Sequence, residues 1–236
     1  MCAILHNMPA ASIRARVRAE MIDEIKAVAR RHLATDGANL SLRAVARDMG
    51  MVSSALYRYF ASRDDLLTAL IIDAYNALGE AVEKADAAVT DRGDLRGRWL
   101  AACHAVRTWA LENPAEYALI FGSPVPGYAA PQDTVAAAAR TPVVLVRILA
   151  DGAAAGTLAR PDPGELPDPV AADLVRLRDE NFPGLPEALL ARGMTGWTHL
   201  FGAVSLELFG QLNNVIEART EYFDLQMRRM ADLIGV

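Results

Sequence analysis

Apolar residues recur along this chain at spacings of three to five, the period of helices that bury one face. Ile13, Val17, Met21, Ile25, Val28 and Leu33 form one such stripe and predict a helix over residues 12–33, broken at Asp36-Gly37. Ser41 stands at the N-cap of a short helix in which Leu42, Val45, Ala46 and Met49 fall at i, i+3, i+4 and i+7. Gly50 follows where a left-handed stop is needed. A second short helix is predicted over residues 53–60. Ser62 with Asp65 then forms an acidic version of a capping box. It opens a long helix striped by Leu66, Leu67, Leu70, Ile71, Ala74, Leu78 and Val82.

The helical period persists to the end of the chain. Asp94 starts a helix over 94–112, and Asn113-Pro114-Ala115-Glu116 supplies an N-cap, a proline at N1 and a glutamate at N3 for the next. Residues 122–131 (GSPVPGYAAP) read as a loop, 132–155 as a helix and 156–169 as a second loop, with a short helix after Pro169. A break at 181–186 precedes two closing helices over 187–218 and 221–234. No segment alternates as a strand would. The expected fold is all-α, with about nine helices: a three-helix domain over residues 1–62 and a larger helical domain over 63–236.

Composition strengthens the helical reading. Of the 53% hydrophobic residues a large share are the 44 alanines, the best helix formers, while aromatics make up only 6%. Two cysteines, Cys2 and Cys103, exclude a disulfide scaffold and a Cys-based zinc module, and they fit a reducing compartment. No run approaches the roughly 18 apolar residues of a membrane span. The opening MCAILHNMPA has no basic n-region and too short an apolar stretch for a signal peptide, and Met8 is an alternative start. The expectation is a cytoplasmic protein without a membrane partner.

Charge is unevenly spread. The chain carries −5 overall, yet residues 1–65 hold ten basic and seven acidic side chains, a net of +3 that leaves −8 for the rest. This is a small basic module on an acidic body. Because 22 of the 24 basic residues are arginine, the bias is shared by the whole chain and arginine abundance alone assigns nothing.

Two short helices joined at Gly50 have the sequence form of a helix-turn-helix. At about 100° per residue, Val52, Ala55, Leu56 and Phe60 of the second helix gather on one side, while Ser53, Ser54, Tyr57 and Arg58 face the other. Short hydroxyls, a phenol and a guanidinium are what a DNA-reading face uses. An ordinary helical hairpin with a polar outer face fits the same pattern, and the pattern alone leaves both open.

The string LSLRAVARDMGMVSSALYRYFASRDDLLTALI, residues 40–71, resembles the DNA-binding region of the TetR family of bacterial transcriptional regulators. The resemblance rests on Ala46-x-x-x-Gly50, Leu56-Tyr57-x-x-Phe60 and Arg63-Asp64-Asp65-Leu66-Leu67, and extends over residues 12–85. It implies that Ser41 and Arg43 contact phosphate, and that Arg43 reads a base through its bidentate guanidinium. It places Ser53, Ser54 and Tyr57 on the recognition helix beside Arg58, and Tyr59 at a backbone-contact position, although the helical wheel puts Tyr59 nearer the core. Arg63 corresponds to a phosphate grip at the start of the long helix, where the dipole also favours an anion.

Further along, Asn113-Pro114-x-x-Tyr117, Phe121-Gly122-x-Pro124-x-Pro126-Gly127-Tyr128, Trp197 and Phe201-Gly202 resemble a TetR subgroup named for a Trp-His-Gly signature. Here Phe201 replaces the histidine, and His199 lies two places away. The resemblance implies a homodimer formed through the last two helices and a pocket for a small effector. Leu200, Val204, Leu208, Leu212 and Val215 supply an apolar stripe, Gly196, Gly202 and Gly210 allow close helix approach, and Phe223, Met227, Met230 and Ile234 give the final helix its own apolar face. Dimerisation suits a reader of paired half-sites about 34–36 Å apart.

Trp99, Cys103, Trp109, Tyr117, Phe121, Trp197 and Phe201 are candidates for an apolar effector pocket, with core packing the competing role for each. Cys103-His104 lacks a second cysteine or a histidine at i+4, so no metal is expected. No phosphate-binding loop and no Ser/Cys–His–Asp set appears, so neither cofactor nor catalytic residue is expected. The sequence therefore reads as a ligand-responsive, homodimeric repressor acting on double-stranded operator DNA, with the long helix from Arg63 as its hinge. A small helical carrier or enzyme with a merely structural N-terminal hairpin is the rival. A nucleoid-type protein without sequence preference is disfavoured by the acidic body.

Overall fold

The computed structural model describes residues 10–36, 40–159 and 166–236. Among them every regular element is helical: α1 (Ala10–Asp36), α2 (Leu42–Asp48), α3 (Ser53–Leu56), α4 (Arg63–Ala88), α5 (Leu95–Glu112), α6 (Pro114–Phe121), α7 (Val135–Ala138), α8 (Arg140–Ala155), α9 (Asp168–Asn181), α10 (Glu187–Leu208) and α11 (Arg219–Ile234). Cys2, Met8 and the Gly37 break lie outside the described residues. No described helix is long and apolar enough to cross a membrane.

The chain divides into two compact units, Met1–Ala74 with Ala115–Thr134, and Tyr75–Pro114 with Val135–Val236. The expected junction at 62 and 63 thus falls inside the first unit. The reason is packing: Leu66, Leu67 and Leu70 of α4, together with Val125, are buried in the same core as Ile25, Val28, Val45, Ala46 and Leu56. Tyr128, in what reads as a plain loop, shares a 2.9 Å hydrogen bond with Thr68.

In the second unit α10 packs on α5, α8, α9 and α11, and α5 also packs on α8 and α11. Its buried residues include Trp99, Val106, Ile148, Leu149, Leu200, Val204, Phe223, Met227 and Ile234. A smaller cluster of Leu174, Leu185, Leu189 and Leu190 seats α9.

Several helix limits differ from expectation, each for a local reason. Ile13 and Val17 are exposed, because residues 13–20 of α1 bury no side chain and the core begins only beyond them. The helix over 132–155 is broken into a 3-10 turn (Gln132–Thr134), α7 and α8. Pro142 has no N–H to give the Ala138 carbonyl, so it is tolerated in the first turn of a new helix but not inside a continuous one. The helix from Glu187 stops at Leu208 instead of running to 218. Gly210, at φ +78°, turns left-handed there, and Gln211 N–H donates to Leu206 O while Gly210 N–H donates to Glu207 O, a Schellman stop. Leu212 and Val215 therefore leave the expected stripe, and Val215 is 69% exposed.

Candidate nucleic-acid interface and effector-domain residues

The first unit presents a bihelical corner. Ser41 caps α2 from an extended backbone, accepting from Ala44 N–H at 3.5 Å, and its neighbours Leu42, Val45 and Ala46 are buried. Gly50 holds φ +66° while Met51 N–H donates to Ala46 O at 2.8 Å, which turns the chain within two residues. One helical turn, α3, follows, and Tyr57–Phe60 continue as hydrogen-bonded turns anchored by buried Leu56 and Phe60.

This packing exposes Ser41, Arg43, Ser54, Tyr57 and Arg58 and leaves Ser53, Tyr59 and Arg63 half-buried. Val52, placed on the inner face by the helical wheel, is 70% exposed. It is the N-cap, with extended φ −70° and ψ 139°, so helical angles do not apply to it. Arg63 donates its Nε to Leu40 O at 3.0 Å, tying the start of α4 to the residue before Ser41. Ser62 Oγ accepts from Asp65 N–H at 3.0 Å, as the capping pattern requires.

Not all basic residues of this unit are available to an anion. Lys26 and Arg30 both converge on Asp73, at 2.9 and 2.6 Å. Arg18 is a contact that local sequence does not signal: its guanidinium donates to Arg58 O at 3.1 Å and lies 5.1 Å from the Tyr59 ring centre. The partners are 40 residues apart, beyond the reach of any helical period.

The pocket candidates divide between the units. Tyr117 and Phe121 belong to the first, with ring centres 5.0 Å apart. Trp99, Cys103, Trp109, Trp197 and Phe201 belong to the second. Trp99 is wholly buried, donates Nε1–H to Met227 O at 3.0 Å and packs beside Gly196. Burial pushes the Cys103 thiol well above its ordinary pKa, so it rests there as a neutral, inert group. Half-buried Trp197 and buried Phe201 have ring centres 5.7 Å apart. His104 Nε2 lies 3.2 Å from Asp224. Elsewhere in the unit a groove of about 620 Å³ runs along α8 beneath residues 181–186, lined by Val143, Val146, Arg147, Ala150, Phe182 and Leu185 among others. None of the pocket candidates lines it.

Comparisons with known proteins agree in both halves. The family described as bacterial regulatory proteins, tetR family, matches residues 25–70. The family described as tetracyclin repressor-like, C-terminal domain, matches residues 99–230. HTH-type transcriptional regulators of Mycobacterium bovis and Mycobacterium tuberculosis are each 40% identical over 231 residues, covering 94% of this chain and 95% of theirs. Among solved structures, the regulatory protein SCO4313 is 37% identical with a TM-score of 0.75, covering 95% of this chain and 100% of its own. A tetR-family regulatory protein from Rhodococcus RHA1, 16% identical, shares the fold with a TM-score of 0.62 over 91% of this chain and 96% of its own.

Proposed function

The chain belongs to the tetR family of bacterial transcriptional regulators, which bind DNA, and from that premise we propose that it is a homodimeric repressor released from its operator by a small, largely apolar effector. The observation that carries the reading is the corner itself. Leu42, Val45, Ala46, Leu56 and Phe60 are buried in the core, while Arg43 on α2 and Ser54, Tyr57 and Arg58 on and just beyond α3 are exposed. Ser41, Arg43 and Arg63 are the proposed phosphate contacts, Arg43 also a base reader, with Ser53, Ser54, Tyr57, Arg58 and Tyr59 completing the DNA-contacting set. Functionally, residues 1–62, together with Arg63 at the start of α4, serve DNA and the rest of the chain serves effector and partner.

Dimerisation through α10 and α11 is supported by exposed apolar side chains at helical spacing. Met194, Leu206 and Phe209 lie on or just beyond α10, and Leu225 and Leu233 on α11. Gly202 has no atom of another helix within 4 Å of where a side chain would begin, which leaves room for a second helix. Within the second unit, Trp99, Cys103, Trp197 and Phe201 are the proposed apolar effector contacts. Trp197 and Phe201-Gly202 also support the Trp-His-Gly-type subgroup. An effector binding the two DNA-spacing states unequally would supply about 1–3 kcal/mol of coupling.

The test is binding of the purified protein to DNA from upstream of its own gene, against scrambled DNA, across a salt series. Preferential binding that weakens steeply with salt supports the reading. Equal binding to both DNAs, with no operator recovered by selection from random DNA, refutes it.

A further inference from the structure

We propose that Arg18 is a positioning residue for DNA reading: it holds the Arg58–Tyr59 end of the recognition turn in place without touching DNA itself. The inference rests on the reading above, in which α3 faces DNA. It starts from the size of α3, which is four residues long. A single helical turn has no cooperative stability of its own, so its orientation is set by what grips it from outside. The inner side is gripped by Leu56 and Phe60, both buried. The outer end carries Tyr57 and Arg58, both exposed.

Arg18 supplies the missing restraint at that end. One Nη donates to Arg58 O at 3.1 Å, a carbonyl just beyond the C-terminus of α3, where a positive charge also complements the helix dipole. The same guanidinium lies 5.1 Å from the centre of the Tyr59 ring, within cation–π range. A planar guanidinium can donate at its edge while stacking on its face, which an ammonium does not reproduce. Tyr59 in turn packs against the core of the unit. Residues 13–20 of α1 are exposed, and from that stretch Arg18 reaches the turn that follows α3. Arg18 thus couples the emergent part of α1 to the Arg58 backbone and the Tyr59 ring, at the end of the turn that carries Tyr57 and Arg58.

The full-length protein tests this with Arg18→Ala and Arg18→Lys. Three quantities are needed: affinity for operator relative to scrambled DNA, the slope of log affinity against log salt, and amide exchange of residues 58–60 without DNA. For Arg18→Ala the preference for operator is expected to fall about tenfold, the salt slope to stay at the wild-type value, and the amides to exchange faster. Arg18→Lys, which keeps the charge but loses the stacked fork, should recover only part of the preference. A salt slope reduced by about one unit with exchange unchanged would make Arg18 a phosphate contact and overturn the proposal. So would full recovery by lysine, or an unchanged preference in Arg18→Ala. If the wild-type protein itself prefers no DNA, the DNA reading fails first and the proposal falls with it. Failure of the proposal alone leaves wild-type preference intact.

Discussion

Arg140 lies across Gly79. A methyl at position 79 would stand 2.6 Å from the Arg140 Cβ and 3.0 Å from its Cδ and Nε. Seated there, the Arg140 guanidinium reaches both oxygens of Glu83, at 2.9 and 2.6 Å, and donates to Asn76 O and Oδ1 at 2.9 and 3.0 Å. The absent side chain on α4 is what lets the first residue of α8 settle against it.

Two effects oppose each other in Gly79→Ala. Alanine favours a helix interior by about 1 kcal/mol over glycine, whereas overpacking a close contact costs about 1–3 kcal/mol. The nearest atom is a Cβ fixed to its backbone rather than the tip of a flexible chain, so the steric effect should win. Denaturant unfolding is expected to show a loss of roughly 1–2 kcal/mol. A variant as stable as wild type would show that α8 shifts freely on α4.

Arg107 and Glu207 form a two-pronged ion pair, at 2.7 and 2.6 Å, between α5 and the end of α10. Glu207 is buried. Removing its partner by Arg107→Ala leaves a carboxylate without compensation, a change that typically costs about 3–5 kcal/mol. The double variant Arg107→Ala/Glu207→Leu should recover much of that loss, because neither charge is then stranded. A loss below about 1 kcal/mol in the single variant, well under that range, would mean water already reaches Glu207.

Asp86 gives the fold a pH dependence with a definite sign. Burial is the largest single influence and pushes its carboxyl up, but the Arg98 and Arg92 guanidiniums, hydrogen-bonded to it at 2.7 and 2.6 Å and attracting its charge, together hold it below the ordinary carboxylate value. A carboxyl depressed in the folded state contributes stability above its unfolded pKa, and loses it as pH falls through the folded one. The thermal stability of wild type should therefore fall as pH drops below about 4. Asp86→Asn should be less stable at neutral pH yet lose less stability on acidification. Parallel pH profiles for the two proteins would show that Asp86 titrates alike in both states.

Arg43 is exposed on the first turn of α2 and has no core role to lose. Arg43→Ala should leave the melting temperature unchanged and weaken operator binding by about 1–3 kcal/mol if the base contact is lost. Selection from random DNA should show one operator position relaxed. An unrelaxed operator with a shallower salt slope would restrict Arg43 to phosphate.

Much of this fold is written locally. Ser41, Ser62 and Asp94 cap the helices they precede because a short side-chain oxygen satisfies an amide within three residues, and Gly50 turns the corner because a left-handed backbone suits it. The motif from Ala46 to Leu67 likewise carried the family, since the Gly50 turn, the Met51–Ala46 hydrogen bond and the Ser62 cap all lie within one short stretch. Helix ends were less legible where two local signals competed, as at Pro142 and Gly210.

Only the tertiary structure decided which charges are free and which loops are core. Lys26 and Arg30 count towards the basic module in sequence, yet Asp73, more than 40 residues away, holds both. Val125 and Tyr128 read as a proline-rich loop, yet they complete the N-terminal core. Arg18 joins Arg58 and Tyr59 across a similar gap. Periodicity and capping act within one or two helical turns, so they specify elements. Which side chains meet across 40 or more residues is set by how those elements pack, and no local pattern encodes it.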